Sequence, residues 1–184
     1  MVIQTAWTAC PNWIDSAQNS WVLRAPSRED GSTVHALIAL CPPLDENSAY
    51  CNFLQASHFA NTCILAEMHE QCVGFISAYR KPSEPNALFV WQVAVHPDAR
   101  GQGLAYRMLS TLLQRESVSD VEYLETTITN DNQGSWRLFQ KLDREMGEDG
   151  EVTTFLDTAR HFQGEHDTEY LYRIPLKSSL TDKE

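Results

Sequence analysis

The chain has 184 residues, 42% of them hydrophobic and 21% charged, which suits one domain around a single core and excludes wholesale disorder. A formal net charge of −11 and a pI near 4.9 exclude the Lys/Arg stripe that duplex nucleic acid requires, and no run of about 18 apolar residues exists to cross a bilayer. The five cysteines (Cys10, Cys41, Cys51, Cys63, Cys72) are odd in number and form no C-x-x-C pair. Together with an N-terminus too polar for a secretory leader, they fit a reduced, cytoplasmic chain.

Residues 1–20 read as an N-terminal tail, 21–175 as the folded domain and 176–184 as a C-terminal tail. Trp21 to Pro26 is a short strand. Ser27 followed by Asp30 opens a helix, in which Val34, Leu37, Ile38 and Cys41 recur at helical spacing. A Pro-broken connection, CPPLDENSAY, leads to a second short helix with Ser48 near its cap. TCILAEM and QCVGFISAYR form a hairpin across the HEQ region, KPSEPN is a loop, and ALFVWQVAV is the third strand in succession. LAYRMLSTLLQRE carries Leu104, Met108, Leu109, Leu112 and Leu113 on one stripe, an amphipathic helix. VEYLETTIT is a strand, NQGSWRLFQKLDREM a helix, and EVTTFL and EYLYRI are strands around a polar loop. The resulting order, β-α-α-β-β-β-α-β-α-β-β, predicts a mixed α/β fold whose central sheet is largely antiparallel and flanked by helices.

Between the strand FVWQVAV and the helix at Leu104 stands Arg100-Gly101-Gln102-Gly103-Leu104-Ala105. Two glycines before a helix let backbone approach a ligand, and the free N–H groups and positive dipole end of the helix favour an anion there. Arg100 adds a full charge within reach of a phosphate. The G-K-[ST] of a P-loop is missing, and the dinucleotide pattern G-x-G-x-x-G would require glycine at Tyr106. The form [Q/R]-x-x-G-x-[G/A], with VAVHPDA before it and a helix after it, resembles the acetyl-CoA loop of the GCN5-related N-acetyltransferases (GNAT). The spacing of Asn132, Ser135 and Phe139 is similar to that family's second CoA-contacting segment. The resemblance covers about Trp21 to Pro175. It implies that backbone groups of Val93, Ala94 and Val95 pair with the pantetheine arm where two central strands part at a bulge, and that one of their amides faces the thioester oxygen. It also implies acetyl-CoA as co-substrate and a homodimer. In many members a Tyr in the second segment protonates the departing thiolate; Phe139 occupies that place here.

PPLDENSAYCNFL, LFVWQVAVHP and HDTEYLYRI are further similar to the branch of the family that acetylates the γ-amine of L-2,4-diaminobutyrate in ectoine formation. Asp45, Asn47, Ser48, Tyr50, Trp91 and Glu169 supply the carboxylates, polar groups and aromatic face that a diamino acid requires, and all six are candidate acceptor-binding residues. Asp45, Tyr50, Trp91 and Glu169 are also the candidate catalytic residues. An aliphatic amine is mostly charged near neutral pH, so a base must remove a proton; Asp45 and Glu169 are both candidates. No cysteine has a His-based activating setting, which favours direct attack of the amine on the thioester. No metal-ligand cluster is present, and no metal is expected. Another small or protein amine as acceptor, or a non-enzymatic acetyl-CoA sensor, remain open alternatives.

Overall fold

The structure, a computed structural model, describes residues 21–176. The expected tails therefore lie outside the described residues, apart from Leu176, whose N–H donates to the Glu122 carbonyl at 2.7 Å. After β1 (Val22–Arg24), a single 3-10 turn leads into α1 (Gly31–Ala39). The Asp30 carboxylate accepts from the Ser27 N–H at 2.6 Å and from its hydroxyl at 2.9 Å, and it receives Arg24 from β1, so one acid fixes both the helix start and the strand beside it. α2 (Ala49–Ser57) opens at Ser48, whose hydroxyl accepts from the Cys51 N–H at 3.1 Å.

β2 (Ile64–Met68) and β3 (Gln71–Lys81) form the expected hairpin, with His69 and Glu70 in its turn at φ of 51° and 64°. β4 (Glu84–Val95) begins earlier than the apolar pattern predicts, because the KPSEPN loop collapses to a two-residue turn at Pro82 and Ser83. Lys81 pairs with Glu84 while Arg80 pairs with Leu88, so Pro85 to Ala87 bulge away from β3 and no ladder bond requires the N–H that Pro85 lacks.

The second half comprises α3 (Leu104–Leu113), β5 (Tyr123–Thr129), α4 (Gln133–Met146), β6 (Glu151–Leu156), α5 (Thr158–Phe162) and β7 (Glu169–Pro175). The expected order holds with one addition, α5, in place of a plain polar loop. Its cause is local: the Asp157 carboxylate accepts from the N–H groups of Ala159 at 3.0 Å and Arg160 at 2.8 Å.

All seven strands join one sheet in the order β1-β2-β3-β4-β5-β7-β6, antiparallel throughout except for β4 against β5. α1 packs Val34, Leu37 and Ile38 on one face, against Leu65, Phe75 and Ala94. α3 and α4 pack Leu104, Met108, Leu109, Leu112, Phe139 and Leu142 on the other, against Ile76, Leu88, Val90 and Leu124. Each fully buried leucine contributes roughly 1.5–3 kcal/mol relative to exposure.

The parallel pairing of β4 with β5 runs only from Ala87–Tyr123 to Val90–Thr126. Ala78 pairs with Val90 and Ser77 with Gln92, which leaves Trp91 as an extra residue in a bulge. The Ser77 hydroxyl accepts the Gln92 N–H at 3.2 Å across it. Beyond this point β4 continues to Val95 beside β3 while β5 continues to Thr129 beside β7, and a cleft opens between them.

Charges brace the closed end of that cleft. Glu125 on β5, only 1% exposed, receives Lys81 of β3 at 2.7 Å and Arg173 of β7; Glu84 of β4 binds the same two cations at 3.2 and 2.5 Å. The Arg173 guanidinium also lies 3.8 Å over the Tyr123 ring. Four strands thus converge on one ionic knot. Replacing Glu125 by Gln weakens two charge-assisted bonds; a loss of about 2 kcal/mol is expected, read as a lower urea midpoint at unchanged m-value.

Candidate active site

The loop leaving β4 carries the geometry that its glycines suggested. Gly101 and Gly103 adopt φ of 75° and 80°, and a Cβ built on either meets no atom within 4 Å. Their need is conformational, and the space above them is open. Arg107 makes its helical bond to the Gly103 carbonyl at 3.0 Å, so the amides of Leu104, Ala105 and Tyr106 project from the end of α3 without intrahelical acceptors. The Leu104 side chain itself is buried in the core. Gln102 braces the loop by donating Nε2 to the Asp98 carbonyl at 3.0 Å. Arg100 donates Nε to the Val95 carbonyl at 3.0 Å, which sets the guanidinium beside the helix end.

Of the three β4 residues expected to present backbone to a ligand, Val93 and Val95 have backbone facing the gap and Ala94 does not. His96 donates its N–H to Val73 on β3 at 2.9 Å. By alternation Ala94 also turns to β3, whereas Val93 and Val95 turn toward β5, where pairing has ceased. Ala94 is consumed by the ladder, and the exposed edge belongs to Val93 and Val95. The Val95 carbonyl already accepts Arg100 and the Cys41 thiol, the latter at 3.3 Å.

A cavity of about 310 Å³ follows this edge, lined by Val93, Val95, Arg100, Ala105, Cys41 to Leu44, and Asn132, Gly134, Ser135 and Leu138. Asn132 also caps α4 by accepting the Ser135 N–H at 3.1 Å. Phe139 does not join the lining. It is 1% exposed within the core, one position round the helix from Leu138, which faces the cavity instead.

On the α2 side of the sheet a second cavity, of about 440 Å³, is walled by Phe59, Tyr79, Phe89, Trp91, Gln55, Ser77 and Thr127. Ring centroids of Phe59, Phe89 and Trp91 lie 6.3, 5.3 and 6.5 Å from that of Tyr79, so the aromatics form one continuous surface. Thr127, on the splayed part of β5, neighbours the Glu169 carboxylate and favours its charged form. Burial raises that carboxyl above the ordinary glutamate range, with the nearby Asp167 charge adding to the rise and Thr127 opposing it.

The other predicted acceptor residues sit on the connection before α2. Gln92, buried next to Trp91, donates Nε2 to the Asp45 carbonyl at 2.6 Å and accepts from Asn47 Nδ2 at 2.9 Å, so β4 holds this connection directly. The Asp45 carboxylate is exposed and accepts the Asn47 N–H at 3.2 Å. Ser48 serves as the α2 cap. Tyr50, 72% exposed, lines neither cavity. Trp91 lines the aromatic cavity, Glu169 lies on β7 behind the Thr127 that borders it, Asp45 and Asn47 are tied to β4 through Gln92, and Tyr50 stands apart.

Burial pushes the Cys63 and Cys72 thiols up to about 12, far from a reactive thiolate, and it raises Cys51 as well. Among the described residues no group of three or more His, Cys, Asp or Glu side chains is arranged to hold a metal, and no helix is long and apolar enough to cross a membrane.

The sequence profile of the acetyltransferase (GNAT) family matches residues 32–143, from α1 through the glycine loop to the end of the α4 stripe. The chain belongs to the GNAT family. Among GNAT relatives, an L-2,4-diaminobutyric acid acetyltransferase of Vibrio cholerae is 69% identical over 159 residues, 86% of this chain and 92% of its own. One from Vibrio parahaemolyticus is 54% identical over 177 residues, 96% and 98% of the two chains. Among solved GNAT structures, diaminobutyrate acetyltransferase EctA from Paenibacillus lautus, in complex with its substrate L-2,4-diaminobutyric acid and coenzyme A, superposes with a TM-score of 0.81 at 39% identity, covering 85% of this chain and 95% of that one.

Three residues of this GNAT site escape sequence reasoning. Gln92 is visible as the lone amide in the apolar run FVWQVAV, but its role depends on a connection some 45 residues away. Gln55 and Thr127 give no signal at all, since an ordinary helix Gln and a strand Thr acquire meaning only from the cavity they border.

Proposed function

We propose that this chain transfers an acetyl group from acetyl-CoA to the γ-amine of L-2,4-diaminobutyrate. The observation that carries the proposal is the parting of β4 from β5, which sets an open strand edge and a cationic helix end on one side and, on the other, an aromatic cavity whose Thr127 neighbours the perturbed Glu169 carboxylate. The relatives named for this acetylation support the choice of acceptor.

The chain's own features fit the co-substrate. Two left-handed glycines with open space above them, three helix-end amides and the Arg100 guanidinium suit a diphosphate. The Val93 and Val95 edge suits the amide-bearing pantetheine arm. When bound, acetyl-CoA supplies the acetyl group as a thioester; the neutral γ-amine attacks its carbonyl carbon directly, the C–S bond breaks as the C–N bond forms, and the proton shed by the acylated nitrogen balances the one taken up by the departing CoA thiolate.

Glu169 takes the proton from the γ-ammonium. Its raised pKa, caused by burial, narrows the gap to an amine near 10 and makes it a better base than an ordinary glutamate. Trp91 orients the acceptor between that carboxylate and the cleft, and the Val93 N–H on the open edge is the donor for developing negative charge. The connection bearing Asp45, Asn47 and Ser48, fixed by Gln92, closes over the acceptor, with Tyr50 on the first turn that follows. The Asp45 carboxylate and the net charge of −11 favour a substrate with two ammonium groups and one carboxylate. The chain works as a homodimer; the edge strand β6, exposed from Glu151 to Phe155 with Val152 and Phe155 half in solvent, is a surface for the second copy. Light scattering at micromolar concentration should return about twice the chain mass, and a monomer would overturn this point.

Free CoA should appear when acetyl-CoA and L-2,4-diaminobutyrate are mixed with the protein, and NMR of the product should place the acetyl group on the γ-nitrogen. Acetylation at the α-nitrogen would reverse the orientation of the acceptor, and no release with this diamine would overturn the substrate. Gly103→Val, which forces a β-branched residue to positive φ and projects it into the open space, should weaken coenzyme A binding by calorimetry at least tenfold while the far-UV spectrum stays native. The acid limb of kcat/KM reports Glu169: activity should fall as pH drops through a value above the usual 4.3 or so, and Glu169→Gln should lower kcat and abolish that limb.

A further inference from the structure

The aromatic cavity contains one buried polar group with nothing to bond. Gln55, on α2, is 2% exposed and lines the cavity, and its Oε1 has no hydrogen-bond partner. Its Nε2 reaches only the Cys51 sulfur, at 3.7 Å, a weak contact. An unsatisfied buried acceptor destabilises the fold, so its presence in a wall of Phe59, Tyr79, Phe89 and Trp91 calls for a ligand that donates to it. The terminal amide torsion of Gln is soft, and with so weak an anchor the oxygen can turn into the cavity at small cost.

The surroundings define the chemistry of that ligand. Ring faces carry negative potential and attract cations, and an amide oxygen accepts N–H bonds without taking the proton. The one cation in the wall, Arg80, is already engaged by Asp120 and by the carbonyls of Pro85 and Ser117. The cavity is therefore suited to an ammonium group that stays protonated.

We propose that Gln55 Oε1 binds the α-ammonium of L-2,4-diaminobutyrate and is a specificity-determining residue for the diamine, a statement that rests on the acceptor assignment made above. It accounts for regiochemistry. The amine held among aromatic rings by a neutral amide keeps its proton and has no lone pair to attack with. The amine at the Thr127–Glu169 end meets a carboxylate that removes its proton. Two chemically similar nitrogens are distinguished by which end can accept a proton.

The test compares wild type with Gln55→Leu, and with Gln55→Met should the first fold poorly, each saturated with coenzyme A. Binding of L-2,4-diaminobutyrate and of 4-aminobutyrate, which lacks the α-ammonium, is measured by calorimetry. The wild type should prefer the diamine, and the variant should lose at least tenfold in diamine affinity while its weak affinity for 4-aminobutyrate stays unchanged. Coenzyme A affinity should not move, and thermal stability should hold or rise, since the variant removes an unpaired buried oxygen. Equal losses for both ligands, or unchanged diamine affinity in the variant, would overturn the role of Gln55 alone. A wild type that binds no diamine would overturn the acceptor assignment and this proposal together.

Discussion

Everything at the site depends on where two parallel strands stop pairing. β4 and β5 hold each other as far as Val90 and Thr126, and each then follows its outer neighbour, β4 with β3 and β5 with β7. A sheet interior normally satisfies its own backbone, so an unpaired edge in mid-sheet is costly unless something else pairs with it. The bulge at Trp91 starts the divergence, and the Ser77 hydroxyl takes up the Gln92 N–H beside it. On the closed side, Glu84, Lys81, Glu125 and Arg173 draw four strands together. One end of the sheet is fastened by charge so that the other can stay open.

The open end also explains the division of labour around it. The loop leaving β4 turns straight into α3, and Arg100 and Ala105 border the same cavity as Val93 and Val95. The α1–α2 connection crosses the opposite flank, fastened by the buried amide of Gln92. Small shifts at Gln92 would therefore move Asp45 and Asn47, and through the same connection the Pro42 to Leu44 lining of the cofactor-side cavity.

Much of this is legible in the residues. The loop can be read because two glycines flanking one residue before an amphipathic stripe have few uses, and both have the positive φ that this pattern requires. The strand and helix order follows from periodicity of 2 and 3.6. The errors are equally physical. α5 is five residues long and is made by the Asp157 cap, too short for any periodic signal. The apolar pattern starts β4 too late because Pro85 reads as a loop unless a bulge frees it from the ladder. The resemblance to the family's second CoA-contacting segment puts Phe139 on the ligand side, yet it shares the buried stripe with Leu142, three residues on, and leaves the cavity to Leu138. The partnerless oxygen of Gln55 cannot be read from sequence, because burial and the lack of a partner are properties of the assembled cavity.

The tether between Arg100 and the last carbonyl of β4 has one more implication. The cation is aimed by the strand from which it departs, so aim and charge are inseparable parts of one device. The glycine loop is consequently a poor module for transplantation: grafted behind a strand that ends differently, it would bring its positive charge to a new host but not the direction in which that charge should point.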